Sequence, residues 1–284
     1  MSNISWMYNN LGRSAISITD YLGTSNSKFG TSNLCDNDLN TSWNTDRKDF
    51  INDYFGDIPF RVDETPYYFI EGSLSYGTAN LIYASVTFDF GSAVYVDSLI
   101  VVHNMDRGTM YFNAGNGNPP AYTSYGMPVL NSTGTSINYI DSVTPFRYWQ
   151  LFAGGDVFDD VIKINEVFIG KRIELPINPE WPFNIETNVM TIDTQSQSGH
   201  KYIYRKYDKT KWNFLYNGLD QTEFDTLNNI RSFCNNTYLP FWMCIDRDYN
   251  KFDTKFVRFS KGSWKYSEVA YKIYDINFSV EEEL

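Results

Sequence analysis

Short runs of β-branched and aromatic residues recur from residue 81 to residue 170, and this recurrence most constrains the fold. The runs are LIYASVTFDF (Leu81–Phe90, stopping at Gly91), VYVDSLIVV (Val94–Val102), the short Met110–Phe112, FRYWQLFA (Phe146–Ala153) and VIKINEVFI (Val161–Ile169). Turn residues separate them, most densely in the loop NAGNGNPPAYTSYG. Strands of this length and spacing predict an antiparallel β-sandwich. The 22 Tyr, 21 Phe and 7 Trp agree, because aromatic side chains pack well on a pleated surface.

A chain of 284 residues holds one large or two ordinary domains. The segment GKRIELPINPEW (Gly170–Trp181) carries two prolines and little periodicity, which places a boundary there. The expected domains are 1–170 and 171–284. Residues 1 to 80 are polar and rich in turn signals. Beyond the boundary, Asn188–Thr194 and His200–Tyr207 read as strands around QSQSG, with Trp212–Tyr216 as a third. One helix is expected over 220–234: Asp220 and Glu223 form a capping box, and Phe224, Leu227, Ile230 and Phe233 or Cys234 recur on one face. The stretch TYLPFWMCIDRD then predicts a strand starting near Pro240, with Phe241, Met243 and Ile245 on one face and Trp242 and Cys244 on the other. Phe256–Phe259 and the alternating Tyr271–Val280 complete the set.

Composition excludes several functions. The formal net charge is −11 and no cluster of Lys and Arg stands out, so a general grip on nucleic acid is not expected. Three cysteines, Cys35, Cys234 and Cys244, form neither a disulfide framework nor a CxxC pair. The two histidines are His103 and His200; HNMD around the first offers no nucleophile, and the second lies beside a polar turn. The acidic groups Asp159-Asp160 and Glu281-Glu282-Glu283 read as solvated charge. No phosphate loop, G-x-S-x-G or HExxH occurs, so the chain is not expected to be an enzyme. A glycan-active enzyme is the weakest alternative, since paired carboxylates can lie far apart in sequence. The N-terminus lacks a basic segment followed by an apolar one, and no apolar run approaches the ~20 residues that span a bilayer. Synthesis in a reducing cytoplasm without membrane insertion is expected.

The order of motifs in the first half resembles discoidin-like, galactose-binding-type sandwiches. Asp36, Thr41 and Trp43 match the early turn, Asp89-Phe90-Gly91 the strand end, and Val96–Val101 the strand after it. Arg147-Tyr148-Trp149 and the late Glu166 complete the pattern, while Asn37 stands where glycine is usual. The resemblance spans roughly residues 15 to 170. It implies a structural calcium on Asp36, Thr41 and Glu166, and sugar contact through loop aromatics such as Tyr122 and Tyr125. Trp149, in a strand, is expected in the core.

The second half resembles tail-tip and distal tail proteins of long-tailed bacteriophages, of the minor tail protein M type. The matching pieces are Leu219, Glu223 and Leu227, then Pro240-Phe241-Trp242, Val257-Arg258-Phe259, and Phe278 to Glu281. That resemblance implies a tail-tube-like sandwich or split barrel with one flanking helix, built around core or assembly residues Phe224, Leu227, Ile230, Phe241, Trp242, Val257 and Phe259. It also implies a ring of identical subunits, a hexamer or trimer, around a DNA channel. Such a ring belongs to a virion made in the host bacterial cytoplasm, in contact with other tail proteins and, through the first domain, with a host-surface glycan. The alternative is a carbohydrate-binding or receptor-binding adhesin module.

Overall fold

The computed structural model describes residues 3–15, 17–21, 34–35, 43–44, 67–70, 73–76, 81–105, 109–117, 123–127, 134–141, 144–156, 163–195, 201–250 and 252–283. The fold is mainly β, with antiparallel sheets and a single helix longer than one turn among the described residues. The chain divides into two compact units, Asn10–Lys171 and Met1–Asn9 with Arg172–Leu284. The first nine residues therefore group with the second unit, not with the first as the domain reading 1–170 has it. The reason is strand β1 (Ser5–Met7), whose Trp6 is fully buried in the second unit's core.

The Asn10–Lys171 unit is a two-sheet sandwich. Its strands are β2 (Ser17–Tyr21), β3 (Trp43–Asn44), β4 (Tyr67–Ile70), β5 (Ser73–Tyr76), β6 (Leu81–Val94), β7 (Ser98–His103), β8 (Thr109–Gly115), β9 (Thr123–Met127), β10 (Thr135–Tyr139), β11 (Phe146–Asp156) and β12 (Lys163–Gly170). One sheet runs β10-β7-β12-β3 and the other β2-β6-β11-β8-β9, while among the described residues β4 and β5 pair with each other. Phe88, Phe112, Trp149 and Leu151 from the second sheet share a core with Leu99, Val101, Val167 and Ile169 from the first. The period of two holds along β11, where Trp149, Leu151 and Ala153 are buried and Tyr148, Gln150 and Phe152 lie on the outer face. It breaks in β12, where the register shifts between Ile164 and Glu166, so that Ile164 and Val167 both reach the core.

The other unit is an eight-stranded sheet. It adds β13 (Ile173–Glu174), β14 (Asn184–Gln195), β15 (Lys201–Asp220), β16 (Phe241–Cys244), β17 (Thr254–Phe259), β18 (Lys265–Ala270) and β19 (Ile273–Glu282). Their order is β13-β1-β16-β17-β19-β15-β14, with β18 also on β19. The segments expected as separate strands over His200–Tyr207 and Trp212–Tyr216 are one strand, β15. It pairs with β14 along Lys201–Asn213 and with β19 along Lys211–Asp220, so the two ladders overlap at Lys211–Asn213 and together hold it as one strand. Strand β18 went unseen because all six of its residues are exposed and show no buried face.

Helix α1 (Gln221–Phe233) begins with the expected capping box. Glu223 N donates to Asp220 Oδ1 at 2.8 Å, and Asp220 N donates to Glu223 Oε2 at 2.9 Å. Asn235 and Asn236 at positive φ close it. Its Phe224, Leu227 and Ile230 face Trp6, Phe214, Phe241, Val257, Phe259 and Phe278 in one core. Trp6 sits 5.8 Å from Phe214 and 5.9 Å from both Phe241 and Phe278. Truncating such a buried indole costs about 3–5 kcal/mol. Within β16, Phe241 and Met243 join this core. Trp242 and Cys244 are buried on the opposite face, Trp242 against Phe256 at 4.8 Å. A one-turn helix, α2 (Arg247–Asn250), follows.

Candidate functional site

Asp36, Thr41 and Tyr122 lie outside the described residues. Glu166 is 1 % exposed, in β12. Asn10 Nδ2 donates to its Oε1 at 3.2 Å and to Val167 O at 2.7 Å, while Asn10 Oδ1 accepts from Gly12 N at 3.0 Å and Ile169 N at 3.2 Å. One asparagine thus ties the start of the sandwich unit to its last strand, and the Asn10–Gly170 bridge closes the two ends together. Nothing in the polar, turn-rich stretch 1 to 80 marks Asn10 for this role, because a side chain's long-range partners leave no local trace. A buried carboxylate is a suitable hard-cation ligand, so the donor chemistry of Glu166 fits calcium. Among the described residues no group of three His, Cys, Asp or Glu side chains gathers around it.

Tyr125 is not on a loop. It lies in β9, opposite Phe112, and stacks on Trp149 at 5.5 Å with an interplanar angle of 16°. It packs against the core because β9 turns that face inward, and burial raises its hydroxyl pKa. Trp149 is fully buried, as core packing required. His103 is 4 % exposed, with Nδ1 accepting from Met105 N at 3.1 Å and Nε2 2.9 Å from Ser136 Oγ. An imidazole that accepts a backbone N–H through Nδ1 carries its proton on Nε2, the tautomer that donates to Ser136 rather than activating it. The pair orders strands β7 and β10 and is no nucleophile–base couple.

The motif residues Asp89 and Arg147 meet across β6 and β11. Arg147 Nε donates to Asp89 Oδ1 at 2.8 Å and Nη2 to Oδ2 at 2.9 Å. Gly91, at φ +72°, donates its N–H to Asp89 Oδ1 at 2.8 Å. The hydrogen bonds from Arg147 lead in holding the Asp89 carboxyl below the usual carboxylate range. Further along the same outer sheet face, Tyr111 and Phe152 stack at 4.7 Å and 20°. Asn113, Gln150, Ser85 and Ser124 share that face by register. No sequence signal singled out Tyr111, whose neighbours on β11 and β9 are set by pairing alone.

The other unit carries chemistry of a structural kind. Lys201, Arg205, Lys206, Lys209 and Lys211 all fall on β15, a local basic stretch that composition concealed. Lys211 pairs with Glu281 in register, and Lys209 Nζ is 3.9 Å from Glu283 Oε2, which also pairs with Arg258. Glu281 and Glu283 therefore face cations rather than standing as free solvated charge. The three cysteines are buried, and burial pushes the Cys234 thiol up to about 12, far from the pKa of a reactive thiolate. No helix of the described residues is long and apolar enough to cross a membrane.

No protein family matches this chain, and no curated protein does. Solved structures do resemble it. The CBM32-5 segment from Clostridium perfringens, in complex with GalNAc-β-1,3-galactose, is 10 % identical with a TM-score of 0.39, over 57 % of this chain and 100 % of its own. Chitosan-binding module 1 of a Paenibacillus chitosanase/glucanase is 9 % identical with a TM-score of 0.38, over 57 % and 99 %. The CBM32-6 segment produced by Clostridium perfringens is 17 % identical with a TM-score of 0.34, over 57 % and 99 %. At such identities and scores these likenesses carry no argument about ligand or site.

Proposed function

We propose that this chain is a non-catalytic carbohydrate-binding or receptor-binding adhesin module, displayed on a second, assembly-forming β unit. One observation carries the reading. The sandwich is a closed insertion: it starts at Asn10 and ends at Gly170, which bridge each other, and its flanking strands β1 and β13 pair in the other unit. Such a unit can vary its outer surface without disturbing the sheet that carries it. The discoidin-like motif order supplies the ligand class, a glycan. A glycan array probed with the whole chain tests the reading, and absence of binding to every glycan would leave the sandwich a packing role.

A second reading is a structural protein of a bacteriophage tail tip or baseplate, ring-forming around a DNA channel. Strand β14 favours it. It is a sheet edge of 12 residues without proline, and Ile185 and Val189 on it are 54 % and 51 % exposed. Long edges of this kind pair with other chains, and head-to-tail contacts close into rings. Light scattering separates the two readings: a hexamer supports the ring, a trimer fits either, and a monomer at all concentrations, alone and with tail proteins, opposes the ring.

A further inference from the structure

We infer that strand β14 of one copy pairs with strand β18 of a second copy, so that the eight-stranded sheet continues from chain to chain. This rests on the ring-forming reading and names the strand that β14 meets. Both strands are edges of that sheet: among the described residues β14 pairs with β15 alone and β18 with β19 alone. Residues 184–189 of β14 and all six residues of β18 are exposed. Strand direction fits the pairing. β14 runs antiparallel to β15, β15 to β19, and β19 to β18. Within one chain β14 and β18 are therefore antiparallel to each other. Neighbours in a ring share one orientation along its axis. With the strands along that axis, β14 of one copy meets β18 of the next in antiparallel fashion, the better-paired arrangement.

The faces of the two edges also match. Ile185 lies opposite Trp212, on the face that carries the core, and Val189 follows on that face at the period of two. Tyr266 lies opposite Ile276, which lies opposite Tyr216, two steps of that period from Trp212. Tyr266 is thus on the same core face, where its ring stands 5.0 Å from that of Phe224 in helix α1, yet it is 59 % exposed. Joining the edges brings Ile185, Val189 and Tyr266 to one side, and it removes from water apolar surface that a single copy leaves wet. Glu186, opposite Lys211, and Lys265, opposite Asn277, share the other face and carry opposite charges. The edges are offset along the strands: Lys265 is level with Asn277, whereas Asn184 is level with Ser279 through Asn213. A sheet that closes on itself requires its strands to tilt and stagger, so the offset suits a closed ring.

Edge variants test the pairing in the full chain. Val189→Lys puts a charge on the β14 edge, and Tyr266→Lys or Val269→Lys puts one on the β18 edge, a change that blocks edge pairing. Solution mass by light scattering and melting temperature are recorded for each. Expected are a wild type larger than a dimer and, for every variant, the mass of one chain, 33.0 kDa. Val189→Lys and Val269→Lys, at exposed positions, keep the wild-type melting temperature. An equimolar mixture of Val189→Lys with Val269→Lys is expected to give a dimer and nothing larger, because one intact β18 then meets one intact β14. Wild-type mass kept by both β18 variants would overturn the pairing and leave ring assembly through β14 standing. A wild-type dimer lost only in Val189→Lys would mean that β14 pairs with β14 of its copy, and would overturn it too. Monomeric variants whose mixture stays monomeric would do the same. A wild type monomeric at every concentration would overturn the pairing, while the ring reading falls only if added tail proteins also leave it monomeric.

Discussion

Asp89 and Arg147, 58 residues apart, join by two parallel hydrogen bonds across strands β6 and β11. Each belongs to a separate short motif, and the pairing is what links the motifs. Bidentate geometry makes such a pair more specific than an ordinary surface ion pair. Because the folded carboxyl titrates below its unfolded value, the pair contributes stability above the unfolded pKa of about 4. That contribution is lost as pH falls through the folded pKa. Asp89→Asn is expected to flatten the acid limb of stability against pH while leaving its shape above pH ~6 unchanged. Urea midpoints across the acid range measure it, and an unaltered acid limb would show that other carboxylates dominate.

Asn10 sets the closure of the sandwich. Its side chain answers the N–H groups of Gly12 and Ile169, the carbonyl of Val167 and the carboxylate of Glu166. Asn10→Ala strands these partners at 3 % exposure, at a cost of about 2–4 kcal/mol. Denaturant unfolding is the measure, and a loss below about 1 kcal/mol would mean that water replaces the side chain.

Asp220→Ala removes the cap from helix α1 and leaves Glu223 N without its side-chain acceptor. The expected loss is about 1 kcal/mol. Asp220→Asn and Asp220→Ser keep an acceptor and should recover most of it. Thermal unfolding of the three variants compares them directly; equal losses would rule out capping as the cause.

Calcium remains a proposal resting on Glu166 with Asp36 and Thr41. If the ion binds the folded state, added calcium raises the melting temperature of the wild type and chelator reverses it. Glu166→Gln should abolish that response. A calcium response retained by Glu166→Gln would remove Glu166 from the ligand set, and no response in the wild type would leave Glu166 as a structural partner of Asn10.

Much of the architecture was readable from local chemistry. The capping box and the asparagine pair bracket helix α1 because each acts within a few residues of its own position. The alternation in β11 and β19 declares strands with one buried face, and Pro240 before Phe241 marks where β16 starts. Strand β18 and the single continuous β15 were not readable, because an exposed strand has no periodic burial and a polar stretch becomes a strand only when neighbours complete its ladders. The candidate sites divide the same way. By itself the amino-acid sequence determined which segments could be strands or helix, and it supplied the motif residues Asp89, Arg147 and Glu166. Only the tertiary structure decided that Asp89 meets Arg147, that Asn10 closes on Glu166, that Tyr125 turns inward, and that Tyr111 faces a glycine. Pairing register sets those neighbours, and register is a property of strands brought together from distant parts of the chain.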